Sequence, residues 1–317
     1  MLYNKRYTNA MIKIKLFIIG FLVVVITTKL WLEVSNLVYD RSIEQSIKMD
    51  MKTIMLHKTI PIQGTEIHYF SNDKQDTESI LFLHPAFSDH SCFDNQIDFF
   101  AEHFKVITVD LLGHGLSSVG KSKDKIDQSA KHLNEILLKE NIKKIHIVGV
   151  SMGSLLARDF AVKFPLKTLS VTALGGYDIN HIYPEINKAQ RKEMSKWLFK
   201  VLFSMSAFRR YAASISVIKE EEQANFYKST KGFTRKSFMV MSALENIVAE
   251  RERNIRSYPL LILSGEKDNE LALSVARKWH DKESESRFYI IKNAGHCANM
   301  DNPIEFNKTI LDFITNK

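Results

Sequence analysis

Cysteine is almost absent from this sequence of 317 residues, which contains only Cys92 and Cys297. Two cysteines cannot form a disulfide framework or a cysteine-rich metal site, so a fold that depends on either is excluded. Two interpretations of the pair remain open. The cysteines are small buried residues, or they form one bridge, because both are expected on loops near the candidate site described below.

Motifs that would indicate a cofactor or a nucleic acid are missing as well. The sequence has no G-x-G-x-x-G motif and no phosphate-binding P-loop, and its His, Cys, Asp and Glu residues show no metal-ligand spacing. We also find no evident repeat and no arginine-rich stripe. We therefore expect no cofactor, no metal and no nucleic-acid partner.

The net charge of +8 is concentrated at the N-terminus. Lys5, Arg6, Lys13 and Lys15 supply half of it without any acidic residue among them, and the rest of the chain is only mildly basic. The contents of 45% hydrophobic and 25% charged residues are typical of globular proteins. The length suits one large domain with an insertion.

A short apolar segment follows this basic leader. Residues 16–28 read LFIIGFLVVVITT, and thirteen helical residues cover only ~20 Å of the ~30 Å hydrocarbon layer of a bilayer. The length suits a signal peptide, but no A-x-A-like cleavage site follows. If the flanking lysines extend towards the lipid headgroups, the span lengthens to residues 12–32 and becomes long enough to cross the layer.

We therefore expect an uncleaved membrane anchor over residues 1–34, followed by a juxtamembrane linker over residues 35–57. A cleaved signal peptide and a buried helix are the alternatives. The leader carries more positive charge than the segment after the apolar run, which favours a cytoplasmic N-terminus and an extracytoplasmic location for the rest of the chain.

From residue 58 onward, short apolar runs alternate with helical patterns. A hairpin is predicted from residues 59–62 and 67–70. Six further runs are typical of buried strands, namely 80–83, 106–109, 145–150, 170–174, 260–263 and 287–291. Helices are predicted over 93–102, 128–140, 155–164 and 303–314. This alternation predicts an α/β fold with a mostly parallel, eight-stranded sheet and helices on both faces.

The alternation breaks once. Residues 177–257 show helical periodicity but no buried-strand pattern. We therefore expect a core over residues 58–176 and 258–317, interrupted by a helical cap insertion over residues 177–257. The cap should lie over the C-terminal edge of the sheet, where open α/β sheets bind ligands.

The sequence Gly149-Val150-Ser151-Met152-Gly153 is a G-x-S-x-G motif between an apolar run and a helical pattern. Strand, sharp turn and helix in this order form a nucleophile elbow, in which the serine is exposed on a strained turn. Gly149 and Gly153 are small because neighbouring backbone packs closely against such a turn. Ser151 is therefore the candidate nucleophile, and an ordinary turn is the alternative.

A serine hydroxyl is a poor nucleophile at neutral pH and needs a base that a carboxylate holds in place. Among eleven histidines, only His296 combines a late position with a predicted strand-to-helix loop. Asp268 follows the run LLIL, which gives the chain order Ser, Asp, His. Asp178, at the end of the preceding predicted strand, is the alternative acid.

These motifs resemble the α/β-hydrolase superfamily over about residues 58–317. The stretch DLLGHGLS from Asp110 to Ser117 is similar to a turn of that family, D-x-x-G-H-G-x-S. We interpret this stretch as structural and Asp110 as a turn-stabilising group. His114 is a poor candidate for the base because it precedes the serine.

Acyl transfer also needs donors for the oxyanion, and one of them is usually the amide after the nucleophile, here Met152. The loop His84-Pro85-Ala86-Phe87 is similar to the His-Gly-x motif of the family, and the resemblance implies that Ala86 supplies the second amide. Pro85 departs from the usual glycine, which leaves Phe87 as an alternative to Ala86.

The resemblance implies a serine hydrolase that cleaves carboxylic esters through an acyl-enzyme on Ser151. Haloalkane dehalogenases and epoxide hydrolases resemble this pattern but have aspartate at the nucleophile. A carbon–carbon bond hydrolase and a cofactor-free perhydrolase share the G-x-S-M-G turn and remain alternatives, as does a binding module without turnover. The expected partner is a small acyl ester, with lipid esters among the candidates, and the oligomeric state is left open.

The cap carries a basic stretch over residues 188–210, with one acidic residue, Glu193, and interleaved apolar residues. Its seven basic residues are Lys188, Arg191, Lys192, Lys196, Lys200, Arg209 and Arg210. Two interpretations stay open. The stretch is a solvated face of an amphipathic helix, or it rests on anionic lipid and admits acyl substrates from the bilayer.

Overall fold

The computed structural model describes residues 27, 53–251, 256–283 and 285–316. Apart from Thr27, the predicted anchor over residues 1–34 lies outside the described residues, and the predicted linker over residues 35–57 is described only from Thr53. No helix among the residues described is long and apolar enough to cross a membrane.

An eight-stranded sheet forms the centre of the described chain. The strands are β1 (Leu56–Ile62), β2 (Thr65–Ser71), β3 (Ser79–Leu83), β4 (Lys105–Val109), β5 (Ile145–Val150), β6 (Thr168–Leu174), β7 (Leu260–Gly265) and β8 (Arg287–Ile291). Their order in the sheet is β1-β2-β4-β3-β5-β6-β7-β8. β2 is antiparallel to β1 and β4, and all neighbours from β4 to β8 are parallel. The predicted sheet is confirmed, including its opening hairpin.

Helices follow most of the strands. They are α1 (Asp94–Ala101), α2 (Ser129–Lys139), α3 (Met152–Lys163), α4 (Pro184–Phe203), α5 (Met205–Ser216), α6 (Glu220–Ser229), α7 (Ser237–Met241), α8 (Glu270–Lys282), α9 (Ala298–Asp301) and α10 (Pro303–Thr315). The helix predicted over residues 155–164 begins earlier, at Met152. The apolar period that predicted it begins only at Leu155, but the turn at Ser151 already directs the chain into the helix.

Alternate side chains of the central strands face opposite sides of the sheet, as strand geometry requires. In β3, Ile80 and Phe82 pack with residues of α1 and α10, whereas Leu81 and Leu83 pack with residues of α2, α3 and α8. The described residues of β3, β4 and β5 are all buried. Burial of each such Leu, Ile or Phe side chain stabilises the fold by about 1.5–3 kcal/mol, so these strands stabilise the sheet that carries the loops at its edge.

The segment between β6 and β7 contains α4, α5, α6 and α7 and no strand among its described residues. We call it the helical insertion. It packs on the loop after β3 through Phe87, whose ring centroid lies 5.0 Å from that of Trp197, 5.0 Å from that of Phe208 and 5.1 Å from that of Phe233. Edge-to-face aromatic contacts of this kind contribute about 0.5–1.5 kcal/mol each beyond the buried area. They hold the helical insertion above the C-terminal ends of the strands.

Candidate active site

Ser151 occupies the sharp turn between β5 and α3, with φ 52° and ψ −116°. A positive φ is uncommon for a residue with a side chain, and here the N–H of Ser151 is held by the carbonyl of Leu174 at 2.7 Å. A Cβ atom at Gly149 would lie 2.2 Å from the carbonyl oxygen of Gly153, and one at Gly153 would lie 2.1 Å from that of Leu83. Close backbone packing therefore explains both predicted glycines.

The structure brings the three candidate catalytic residues together. Nε2 of His296 lies 2.8 Å from Oγ of Ser151, and Nδ1 of His296 lies 2.8 Å from Oδ2 of Asp268. The Asp268 side chain is only 2% exposed, and its other oxygen accepts hydrogen bonds from the backbone and side-chain nitrogens of Asn269 at 2.8 and 3.2 Å. With Nδ1–H donating to the carboxylate, Nε2 is left as an acceptor for the serine proton.

The charge state of His296 is set by two opposing effects. Burial disfavours the imidazolium and by itself lowers the pKa of His296, whereas the charge and hydrogen bond of Asp268 raise it. Together the charge and hydrogen bond of Asp268 outweigh the effect of burial, so the pKa of His296 lies above its ordinary value. An imidazole with this partner is a stronger base than a free one.

Asp178, the alternative acid, has other contacts. Its carboxylate is buried, accepts a hydrogen bond from the N–H of Asn180 at 3.0 Å and lies 4.0 Å from the guanidinium of Arg158. These contacts explain Asp178 as a turn residue that faces a buried cation. The carboxylate on His296 is that of Asp268.

Both predicted oxyanion donors lie beside the candidate nucleophile. Met152 is the first residue of α3, and Ala86 lines the cavities that contain Ser151. Among the backbone hydrogen bonds of the described turns and loops, none has the amide of Met152, Ala86 or Phe87 as its donor. Phe87 has φ 74° and its side chain is buried beneath the helical insertion, so the loop turns sharply directly after Ala86.

His84 fixes the loop that carries Ala86. Its Nε2 accepts from the N–H of Leu111 at 3.1 Å, so its Nδ1 carries the proton and donates to the carbonyl of Pro85 at 2.8 Å. Burial lowers the pKa of His84 to about 4, which keeps the imidazole neutral near pH 7. No sequence pattern assigns a role to the His84 side chain itself.

The stretch from Asp110 to Ser117 forms a buried turn. The Asp110 carboxylate accepts from the backbone N–H groups of His90 and Leu116 at 2.9 and 2.8 Å. His114 is buried, with its Nδ1 3.2 Å from the carbonyl of Leu112, and burial lowers its pKa to about 3. These contacts indicate that Asp110 and His114 have a structural role in the turn.

Asp301 is a residue of the site that sequence reasoning missed. Its carboxylate is fully buried and accepts from the N–H groups of Gly295, Ile218 and Lys219 at 2.9, 3.1 and 3.1 Å. It thereby joins the His296 loop to the loop between α5 and α6. No motif marks this aspartate, since its only sequence signal is a position five residues after His296.

Cys92 and Cys297 are free, buried thiols, which agrees with their interpretation as small buried residues and not with a bridge. Burial raises the pKa of both thiols, so neither is a reactive thiolate near pH 7. In the described residues, no group of three or more His, Cys, Asp or Glu side chains is placed to hold a metal ion.

Two cavities meet at Ser151. The larger, about 730 Å³, is lined by His296, Asp268 and residues of α4, α5 and α8, and we call it the His296 cavity. The smaller, about 400 Å³, is lined by Met152, Leu155 and residues of α4 and α7, and we call it the Met152 cavity. Both volumes are in the range of small-molecule sites.

Comparison with known proteins agrees with this architecture. The chain is 23% identical over 259 residues to monoacylglycerol lipase ABHD6 of Bos taurus, a match that covers 74% of this chain and 75% of the lipase. It is 24% identical over 277 residues to a 2-hydroxy-6-oxononadienedioate/2-hydroxy-6-oxononatrienedioate hydrolase of Pseudomonas putida, a match that covers 78% of this chain and 92% of that hydrolase.

A carboxylesterase structure from the thaumarchaeon Nitrososphaera gargenis superposes with a TM-score of 0.70 at 17% identity, covering 82% of this chain and 98% of that one. A family model described as alpha/beta hydrolase fold matches residues 78–303. This match spans most of the chain and includes Ser151, Asp268 and His296. The protein therefore belongs to the α/β-hydrolase fold family.

Proposed function

We propose that this hydrolase cleaves carboxylic esters through an acyl-enzyme on Ser151. The observation that carries the proposal is the continuous hydrogen-bond chain from Oγ of Ser151 through both nitrogens of His296 to the buried carboxylate of Asp268. This arrangement supplies a nucleophile, a base and an orienting acid, which are the three parts that acyl transfer requires.

In the proposed reaction, His296 removes the proton of Ser151 as Oγ attacks the ester carbonyl. The negative charge that develops on the carbonyl oxygen is bound by the amides of Met152 and Ala86, and each such donor lowers the barrier by about 2.7–4 kcal/mol. His296 then returns the proton to the leaving alcohol, and water hydrolyses the acyl-enzyme by the reverse sequence. Asp268 holds the imidazole in the required tautomer and stabilises the imidazolium.

The relatives support an ester as the substrate, because one of them is a monoacylglycerol lipase and a structural neighbour is a carboxylesterase. The Pseudomonas putida relative favours a second candidate, cleavage of a carbon–carbon bond in a 2-hydroxy-6-oxo dienoate. The two reactions are separated by assaying the purified protein with 4-nitrophenyl butyrate and with a 2-hydroxy-6-oxo dienoate. We expect kcat/KM for the ester to be at least tenfold higher than kcat/KM for the dienoate. The reverse ranking would favour the second candidate.

We further propose that residues 1–34 anchor the protein in a membrane, with the hydrolase domain on the extracytoplasmic side. The support comes from the sequence alone: the apolar run over residues 16–28, the flanking lysines and the basic leader. Lipid esters would then be substrates within reach, and fractionation of the full-length protein tests the anchor.

A further inference from the structure

We propose that Ser154 is a positioning residue for the oxyanion donor at Met152. Its side chain is fully buried and lines neither cavity at Ser151, so it acts through the peptide group that joins Ser151 to Met152. The inference rests on the proposed ester hydrolysis and goes beyond it. It assigns a role in the reaction to a side chain that lies one residue past the G-x-S-x-G motif.

One peptide group links Ser154 to the oxyanion. The carbonyl oxygen of Ser151 and the N–H of Met152 belong to the same planar unit. The orientation of this unit is set by ψ of Ser151, which is −116° in a residue with φ 52°. Such a conformation is uncommon outside glycine and persists only where neighbouring contacts hold it. A contact that fixes the carbonyl of Ser151 therefore also fixes the direction in which the N–H of Met152 points.

Ser154 makes such a contact twice. Its hydroxyl donates to the carbonyl oxygen of Ser151 at 2.6 Å, and its backbone N–H donates to the same oxygen at 2.9 Å. The backbone bond belongs to the first turn of α3 and needs no particular side chain, whereas the other bond requires a hydroxyl. Because the side chain of Ser154 is fully buried, water does not compete for this bond.

The fold leaves space for this hydroxyl at Gly176, which follows β6. A Cβ atom at Gly176 would lie 2.0 Å from Oγ of Ser154. The φ of Gly176 is not positive, so its backbone conformation does not require glycine. Close approach of the Ser154 side chain therefore explains why this position has no side chain of its own.

The hydroxyl also strengthens the donor at Met152. A hydrogen bond to a peptide carbonyl polarises the peptide group, and such polarisation strengthens the next hydrogen bond by about 10–30%. A complete oxyanion donor contributes about 100-fold to 1000-fold to kcat. We therefore expect the hydroxyl of Ser154 to contribute about twofold to eightfold. This contribution arises as charge develops on the carbonyl oxygen, so it affects the reaction and not the binding of the substrate.

Two substrates that differ in one atom isolate this effect. Attack on 4-nitrophenyl butyrate places negative charge on oxygen, whereas attack on its thionoester, with C=S in place of C=O, places the charge on sulfur, a weak hydrogen-bond acceptor. The ratio of kcat/KM for the ester to kcat/KM for the thionoester therefore measures what the oxyanion donors contribute. Damage to Ser151 or His296 lowers both values equally and leaves the ratio unchanged.

Ser129 offers a matched control. It is the first residue of α2, its side chain is buried, and its hydroxyl donates to the carbonyl three residues earlier, that of Ile126, also at 2.6 Å. Ser129 lines neither cavity at Ser151. Ser129→Ala therefore removes a hydrogen bond of the same kind and length at the start of another helix, away from the candidate nucleophile.

In the full chain, Ser154→Ala is expected to lower the ester-to-thionoester ratio by about twofold to eightfold, with KM for the ester unchanged. Ser129→Ala should leave the ratio unchanged. Ser154→Cys retains a weaker donor, so its ratio should lie between those of Ser154→Ala and the unmodified protein. It also carries the test if Ser154→Ala does not fold. A ratio that is the same in the Ser154 variants as in the unmodified protein would overturn the proposal, whatever the loss of absolute rate.

Failure of this inference is distinguishable from failure of the proposed function. A fluorophosphonate counts the reactive nucleophiles in each preparation, so every rate is expressed per labelled molecule. Ester hydrolysis with an unchanged ratio in Ser154→Ala, or an equal fall in Ser129→Ala, contradicts only the role of Ser154. Unmodified protein that is labelled but hydrolyses no ester contradicts the proposed function itself.

Discussion

Gly175 leaves room for the imidazole of His296. This glycine follows β6 with φ 65°, and a Cβ atom here would lie 2.8 Å from Cε1 and 3.1 Å from Nδ1 of the histidine ring. We expect Gly175→Ala to displace His296 from Ser151 and to lower kcat/KM on the order of 100-fold, the usual effect of a misplacement of about 1 Å. The measurement is kcat/KM for ester hydrolysis by the folded variant.

Gly113→Ala is the matched control, because Gly113 also has a positive φ, 84°, but its nearest neighbour would be the side chain of Ser237 at 3.4 Å, away from the candidate site. Both variants carry backbone strain, so both lower the melting temperature. Only Gly175→Ala should lose activity, and an equal loss in both would mean that strain, not contact with His296, is the cause.

The second prediction concerns the acid. Asp268→Asn removes the carboxylate from His296 and should lower turnover by about 10⁴-fold, because the imidazole is then held in the wrong tautomer. Asp178→Asn should mainly lower the free energy of unfolding, since it faces the buried Arg158. Turnover and urea unfolding of both variants are the measurements, and a larger loss of turnover in Asp178→Asn would move the acid to the end of β6.

The pH dependence of kcat/KM is the third prediction. His296 accepts a proton only when neutral, and its pKa lies above the ordinary 6.5 because of Asp268. Activity should therefore rise with pH through a pKa above 6.5, and it should fall about tenfold for each pH unit below that pKa. In Asp268→Asn the residual activity should rise at a lower pH than in the unmodified protein. An unchanged pH dependence would show that Asp268 does not raise the pKa of His296.

Local patterns predicted much of this molecule. The eight strands follow from apolar runs, and motif and chain order alone indicate Ser151, Asp268 and His296 at strand ends. Periodicity and turn chemistry depend on residues that are close in sequence, so both can be recognised from the sequence alone.

Contacts between distant segments could not be predicted in this way. The carboxylate of Asp301 accepts hydrogen bonds from three backbone amides on two loops. Phe87 packs under helices that follow it in the sequence by more than a hundred residues. The division of the site into two cavities depends on where α4, α5, α7 and α8 meet. No local pattern specifies these contacts, because they form only when the helical insertion packs on the core.

The fourth prediction concerns the N-terminus. If residues 1–34 are an anchor, full-length protein stays in the membrane fraction through high salt and alkaline carbonate, because buried apolar area rather than screened charge holds it there. A variant that lacks residues 1–34 should be soluble and should still hydrolyse short esters, since Thr53–Lys317 forms a compact unit by itself. Release of full-length protein by carbonate would contradict the anchor, and a shortened form in the medium would indicate a cleaved signal.

The most direct test of the account is covalent labelling of Ser151. We expect a fluorophosphonate to add one group per molecule, to map to the peptide that contains Ser151, and to abolish ester hydrolysis in proportion to the labelled fraction. Ser151→Ala should fold with an unchanged circular dichroism spectrum, take up no probe and lose hydrolysis. Labelling at another serine, or ester hydrolysis retained by Ser151→Ala, would contradict the proposal that this residue is the nucleophile.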